Sequence, residues 1–262
     1  MHTLELCSTQ GQKFEVSIPE PRQGVQGAYV FAFAKSGSTL LNNLITTYCA
    51  AVSVPTLSLF DAAFGYGIPT HQIGPDAQAC FAPSGVIYTG FRHFPRFDLD
   101  LGDANLVLLV RDPRDMLVSM YFSVAKSHVV PKAHQRLKLE REKVALLSID
   151  EFALSRAEIL LRIFRNYQRN LPAQRLTTYR YEDVVFRKAW WLQDLVDRLG
   201  LPLDESLVES VAHRFDIIPE QEDAQEHIRQ VHPGDHRTKL AGSTIEKLDE
   251  VLHEFLSAYD YL

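Results

Sequence analysis

The residues best equipped for chemistry in this 262-residue chain fall in three short stretches. The first is Lys35-Ser36-Gly37-Ser38-Thr39-Leu40. It follows the apolar, β-prone run Tyr29 to Phe33 and leads into Leu40, Leu41, Leu44, Ile45 and Tyr48 at helical spacing. That order predicts a buried strand, a short loop and a helix N-terminus. A helix start exposes N–H groups that have no partner within the helix and carries partial positive charge. Gly37 lets the backbone approach an anion, Lys35 adds a full charge, and three hydroxyls add donors, which together make a phosphate cradle. The stretch is not a Walker A loop, because that motif sets glycine ahead of its lysine and here the lysine comes first. A solvated lysine on an ordinary strand–turn–helix is the competing reading.

The second stretch is Arg111 to Ser119. Asn105 to Val110, NLVLLV, is a continuous apolar run of the kind that forms a strand buried on both faces. Asp112 suits a helix N-cap and Pro113 the first helical position, with Met116, Leu117, Met120, Tyr121 and Val124 inward. An arginine fork and a hydroxyl at such a junction can hold a terminal phosphate. Pairing of Arg111 with Asp112 or Asp115 is the alternative. The third stretch is His93, just beyond the strand pattern Val86 to Phe91, where α/β folds place their ligands.

Composition sets the frame for these sites. The chain is 46% hydrophobic and 23% charged, within the globular range, and long enough for one α/β domain with a sizeable core. A formal net charge of −6 disfavours a general nucleic-acid binder but allows an anionic small ligand in a locally positive pocket. Cys7, Cys49 and Cys80 form neither a disulfide framework nor a zinc pattern, which fits a reducing compartment. The N-terminus lacks a signal-peptide pattern and no apolar run reaches membrane-spanning length, so a cytoplasmic location and no membrane partner are expected. His128 and His134 have no companions at metal-ligand spacing, so no metal is expected.

Along the chain, residues 1–27 read as an irregular or edge-strand preface. Residues 52–85 are rich in Pro and Gly, with Phe60, Phe64, Tyr66 and His71 among them, as an apolar acceptor-pocket wall or a packed surface loop would be. Ser148-Ile149-Asp150-Glu151 predicts a capping box, followed by a core face of Phe152, Ile159, Leu160, Ile163, Phe164 and Tyr167. Leu176 to Tyr181 predicts a strand, then a helix whose face carries Trp190, Trp191, Leu195 and Leu199 and which stops at Gly200 and Pro202. A second capping box is expected at Ser243 to Glu246, opening a final helix with Ile245, Leu248, Leu252 and Phe255 inward. Residues 125–147 and 221–242 are candidate gate and lid loops.

Taken together, these stretches resemble the sulfotransferases that use 3′-phosphoadenosine 5′-phosphosulfate (PAPS). K-S-G-S-T resembles their 5′-phosphosulfate loop. Arg111, Pro113, Asp115 and Ser119 match the 3′-phosphate motif R-x-P-x-D-x-x-x-S. His93 falls on the histidine of the catalytic segment, commonly K-T-H-L-P, while Phe91 and Arg92 stand at its lysine and threonine positions. Tyr181-Glu182-Asp183 resembles a Y-E-D whose tyrosine lies near the adenine in relatives. Arg229, Gly234 and Asp235 align with the lid R-K-G-x-x-G-D-W, with Gln230, Val231 and His236 departing from it.

The resemblance implies a single α/β domain over residues 1–262, a central parallel sheet flanked by helices in the manner of P-loop nucleotide kinases. It implies sulfuryl transfer to a hydroxyl or amine of a small-molecule acceptor, leaving 3′-phosphoadenosine 5′-phosphate (PAP). His93 would be the general base and Lys35 a charge stabiliser. The donor would lie on Lys35, Ser36, Gly37, Ser38, Thr39, Leu40, Arg111, Ser119, Tyr181 and Arg229. A small-molecule kinase or a non-catalytic nucleotide-binding module are the alternatives. Lys239, Thr244-Ile245 and Asp249 only approximate the family's dimer motif, so oligomeric state is left open.

Overall fold

The computed structural model describes residues 1–127, 141–218 and 231–262. The chain opens with an antiparallel hairpin of β1 (His2–Cys7) and β2 (Lys13–Ile18). Residues 1–27, expected as an irregular or edge-strand preface, thus hold two strands, paired with each other apart from the central sheet. Phe14, Val16 and Ile18 alternate into the core, and Gly11 takes a left-handed conformation (φ 81°) in the connecting turn.

Behind the hairpin lies a five-stranded sheet of β3 (Ala28–Ala32), β4 (Thr56–Leu57), β5 (Ile87–Phe91), β6 (Asn105–Val110) and β7 (Leu176–Arg180). The spatial order is β4-β5-β3-β6-β7 and every neighbouring pair is parallel, the α/β architecture expected. Alternation along β3 divides the core. Tyr29 and Phe31 pack on one face with Leu106, Leu108 and Val110, while Ala28, Val30 and Ala32 pack on the other with Val107 and Leu109.

Helix α1 (Ser38–Ala51) covers the second face, burying Leu41, Leu44, Ile45 and Tyr48 against it. The first face is covered by α2 (Leu59–Gly65), α3 (Pro113–Phe122) and α4 (Ile149–Asn170), all contributing to one core with the hairpin. After β7 come the short α5 (Tyr181–Val184), then α6 (Lys188–Arg198) and α7 (Glu205–Arg214), which join α1 on the second face. The chain closes through α8 (His236–Lys239), α9 (Gly242–Val251) and α10 (His253–Ala258). No helix among the described residues is long and apolar enough to cross a membrane.

Local signals account for most helix starts. Asp112 caps α3 through the Arg114 N–H with Pro113 at the first position, and Ser148 and Glu151 form the full capping box of α4. Four expectations differ. The last helix begins at Gly242 with no side-chain cap, so Ser243 and Glu246 make no box, and the expected continuous helix breaks at Leu252. Ile159 is turned outward on α4. Trp190 is 45% exposed and lies under the Arg187 guanidinium at 4.4 Å, whereas Trp191 is fully buried, because residues adjacent in a helix point about 100° apart. Phe60 is core rather than pocket wall, its ring 5.0 Å from that of Phe91.

The tryptophan contrast gives a direct check by urea unfolding. Trp191→Ala should cost about 3–5 kcal/mol and Trp190→Ala less than about 1 kcal/mol. Equal losses would mean that α6 presents a different face to the sheet.

Candidate functional site

Strand register decides what meets at the C-terminal edge of the sheet. Phe31 pairs with Phe91, Ala32 with Leu109, and Val110 with Arg180. Continuing each strand by a residue or two brings the loop after β3, Arg92-His93 after β5, Arg111 after β6 and Tyr181 after β7 to one edge.

The loop after β3 runs through two left-handed residues, Lys35 (φ 70°) and Gly37 (φ 94°), with Ser36 between them. A non-glycine residue held there is costly and marks a backbone shaped for a purpose. Ser36 is wholly buried. Its hydroxyl donates to the carbonyl of Phe33 (2.8 Å) and lies 3.3 Å from that of Leu109, and its N–H donates to Phe33. Both of its donors are thus engaged within the fold, so it shapes the loop instead of facing a ligand. Gly37 occupies the N-cap of α1, where no side chain caps the helix. A Cβ at Gly37 would lie 2.7 Å from Cδ2 of Tyr181, so only glycine fits between the loop and that ring. Ser38 is buried, Leu40 half-buried and Thr39 exposed at the helix start.

Arg111 is 6% exposed. Its Nη1 donates to the Lys35 carbonyl at 3.4 Å, its guanidinium stacks 4.5 Å over the Tyr181 ring, and its Nη2 lies 3.6 Å from Oδ2 of Asp115. Its Nε is buried without a partner. Of the two ion pairs weighed for Arg111, Asp115 is the partner, while Asp112 is taken by Arg114 at 2.7 Å. Asp115 also accepts from the N–H groups of Gly234 (2.6 Å) and His236 (2.9 Å) and from His236 Nδ1 (2.7 Å). Burial pushes the Asp115 carboxyl upward, but the His236 hydrogen bond, the Arg111 charge and the two backbone donors outweigh it and bring it to about 2. Ser119 is half-buried one turn beyond Asp115 on the same face of α3. Tyr181, 5% exposed, donates its hydroxyl to the Val231 carbonyl at 2.9 Å.

His93 is half-buried, its Nδ1 3.0 Å from the Phe94 carbonyl and its Nε2 2.5 Å from the Thr70 hydroxyl. The carbonyl can only accept, so Nδ1 carries the proton and Nε2 presents its lone pair. Burial lowers the imidazole pKa below its ordinary 6.5, helped by the charges of Arg96 and Arg92, against the opposing Phe94 bond. The preceding strand carries a bulge, since two steps along β3 match three along β5, with Gly90 at φ 85°. The extra residue turns Phe91 into the aromatic core, 4.7 Å from Phe31. No charge stands at that position, and Arg92 instead pairs with Asp61 at 3.3 Å.

Three features escaped the sequence: the bond between Thr70 and His93, the tie from Asp115 to residues 234–236, and the Tyr181 ring under Gly37. All join residues far apart in the chain, and only the small residue at 37 hinted at any of them. A cavity of about 360 Å³ lies on the other side of His236, beside Arg114, Arg180 and Tyr261. Arg114 there is already bonded to Asp112, Asp249 and the Tyr261 carbonyl, while Arg180 Nε is buried without a hydrogen-bond partner. Arg229, Gln230, His128 and His134, with residues 128–140 and 221–230 of the two candidate loops, lie outside the described residues. Among the described residues no three His, Cys, Asp or Glu side chains are grouped to hold a metal.

Comparison with known proteins bears on the fold and on the middle of the chain. The sulfotransferase family model matches residues 91–205, the segment holding His93, Arg111, Ser119 and Tyr181. Mouse sulfotransferase SULT7A1 complexed with PAP superposes with a TM-score of 0.61 at 12% identity, covering 90% of this chain and 85% of that one. Retinol dehydratase in a complex with retinol and PAP gives 0.59 at 14% identity, covering 94% and 88%. Retinol dehydratase in complex with androsterone and inactive cofactor PAP gives 0.57 at 14% identity, covering 88% and 80%. At these identities the likeness speaks for the fold. No curated protein matches by sequence. Residues 91–205 thus match the sulfotransferase family model, and nearly the whole chain shares the fold of solved sulfotransferases.

Two outcomes follow from the geometry. Gly37→Ala should fold less stably, by at least about 1 kcal/mol, through strain at positive φ and collision with Tyr181. For Asp115, a carboxyl near 2 in the fold against 3.8 outside it stabilises fully above the unfolded value and loses that contribution as pH falls toward the folded one. Urea unfolding of the wild type and Asp115→Asn should therefore differ by on the order of 2 kcal/mol more at pH 6 than near pH 2. A gap that stays constant with pH would show that the Asp115 charge adds nothing.

Proposed function

We propose that this enzyme transfers the sulfuryl group of PAPS to a hydroxyl or amine of a small-molecule acceptor, without a metal. The observation that carries this reading is the pairing of an uncapped helix start at Gly37 with a buried arginine, one of whose nitrogens has no partner, on the adjoining strand end. Two separated anion sites suit a nucleotide that bears phosphate at both its 5′ and 3′ positions. Solved structures sharing the fold contain PAP, which supports the same donor.

The residues present fit that group. The first N–H groups of α1, with Lys35, Ser38, Thr39 and Leu40, would hold the 5′-phosphate. Arg111 and Ser119 would hold the 3′-phosphate, joined in sequence terms by Arg229. Tyr181 would form the floor beneath both. When bound, the donor supplies an activated sulfuryl group and a phosphate leaving group. Lys35 and the helix start would stabilise the charge that gathers on the departing phosphate. His93 would take the acceptor's proton on Nε2, the nitrogen that now faces Thr70. The Thr70 hydroxyl models the approach, since an acceptor hydroxyl would make the same hydrogen bond in its place.

The fold neighbours complexed with retinol and androsterone support an apolar acceptor. Phe64 and Tyr66 remain exposed near the hairpin, whereas Phe60 has been taken into the core. Three free cysteines suit a reducing, cytoplasmic setting.

Calorimetric titration with PAP, ADP and ATP, with divalent metals chelated, tests the donor class. Tight binding of PAP alone is expected, and preference for ATP would hand the fold to the kinase reading. His93→Ala should bind PAP as the wild type does and lose about 100-fold or more in kcat, with Lys35→Ala losing at least about 100-fold. Because burial keeps His93 neutral, the acid limb of kcat/KM should lie below 6.5. A limb above that value would assign the base elsewhere.

A further inference from the structure

Building on the proposed donor site, we propose that Asp115 is a positioning residue. Its carboxylate aims Arg111 at the donor's 3′-phosphate and fastens that arginine to the segment Gly234 to His236.

Arg111 has little else to direct it. The Tyr181 ring supports the flat face of the guanidinium but leaves it free to rotate in its own plane. The hydrogen bond to the Lys35 carbonyl is long, at 3.4 Å, and Nε has no partner at all. The directional charge beside it is Asp115, one turn along the chain, 3.6 Å from Nη2. Asp115 is itself immobile. It is 1% exposed and held by the N–H groups of Gly234 and His236 and by His236 Nδ1. The side chain of His236, 2% exposed, stands between Asp115 and Asp112, the latter 3.9 Å away and occupied by Arg114. A carboxylate that receives three donors from one segment and faces a cation on another transmits the position of the first to the second. The segment from Gly234 to His236 thereby sets the aim of Arg111 without touching the phosphate.

The test compares PAP with adenosine 5′-monophosphate, which lacks only the 3′-phosphate. Affinities are measured by calorimetry for the wild type, Asp115→Asn and Asp249→Asn. Asp249 bonds Arg114 in the neighbouring network and touches nothing on Arg111. The wild-type preference for PAP should fall about 10-fold or more in Asp115→Asn, as for a misdirected charge-assisted hydrogen bond. Affinity for the monophosphate should stay within about 2-fold, as should kcat at saturating donor. Asp249→Asn should keep the wild-type ratio.

An unchanged ratio in Asp115→Asn would overturn the positioning role while leaving the donor site intact. Equal loss of both ligands, or the same fall in Asp249→Asn, would overturn it in favour of general loosening at the start of α3. A wild type that does not prefer PAP would instead remove the donor reading on which this rests.

Discussion

The in-register ending of adjacent parallel strands is the constraint on which the site depends. Strands β5, β3, β6 and β7 lie side by side, and the pairs Phe31 with Phe91, Ala32 with Leu109 and Val110 with Arg180 bring their carboxyl ends to one line. The group each strand delivers next is then fixed by counting. Backbone hydrogen bonds between strands are strong and cooperative, so this line is stiffer than any side-chain contact. The loop after β3, the histidine and the arginine need no further scaffold to find one another.

Charge is handled by local closure within that frame. The protein carries a formal charge of −6, yet its edge collects Lys35, Arg111, Arg114 and Arg92. Each arginine among them has its own carboxylate: Asp115 for Arg111, Asp112 and Asp249 for Arg114, and Asp61 for Arg92. Burying an ion costs several kcal/mol unless it is paired and bonded, so the buried pairings of Arg111 and Arg114 are conditions of folding before they are features of a site, whereas the exposed Arg92–Asp61 pair contributes little. Arg111 differs from Arg114 in being incompletely satisfied: Arg114 makes five hydrogen bonds to oxygens of Asp112, Asp249 and Tyr261, while Arg111 keeps a long contact, a distant ion pair and an unmatched Nε. A group left short of partners in a dry place is suited to an anion that arrives from outside.

Much of this was legible in the residues. The apolar runs at β3 and β6, the N-cap at Asp112, the capping box at Ser148 and the glycine after Lys35 are local signals, and local rules find them. The failures have a common physical cause. The hairpin was obscured because its alternation is shared between two short runs with polar residues on the outer face. Trp190 and Ile159 were misplaced because an apolar type does not by itself fix a helix face. The box at Ser243 failed because Asp150, far away in sequence, binds the N–H of Ala241 and sets the chain's entry into α9. The Asp115 network was invisible for a related reason: its partners lie more than a hundred residues downstream, and a carboxylate in a motif does not name what it holds.

The bulge at Gly90 turns β5 into two short strands of opposite phase. Tyr88 and Phe91, three positions apart, lie on the same face, whereas an unbroken strand would set them on opposite ones. An alignment that counts residues back from His93 and one that counts forward from Ile87 therefore disagree about which positions are interior. The same odd count governs what the strand can absorb over evolutionary time. Deleting the one extra residue there would remove the bulge and leave Phe91 two steps from Tyr88 on the same face, while deleting two would make them neighbours on opposite faces. The number of residues across the bulge, more than their type, decides which side chains at the end of this strand reach the core.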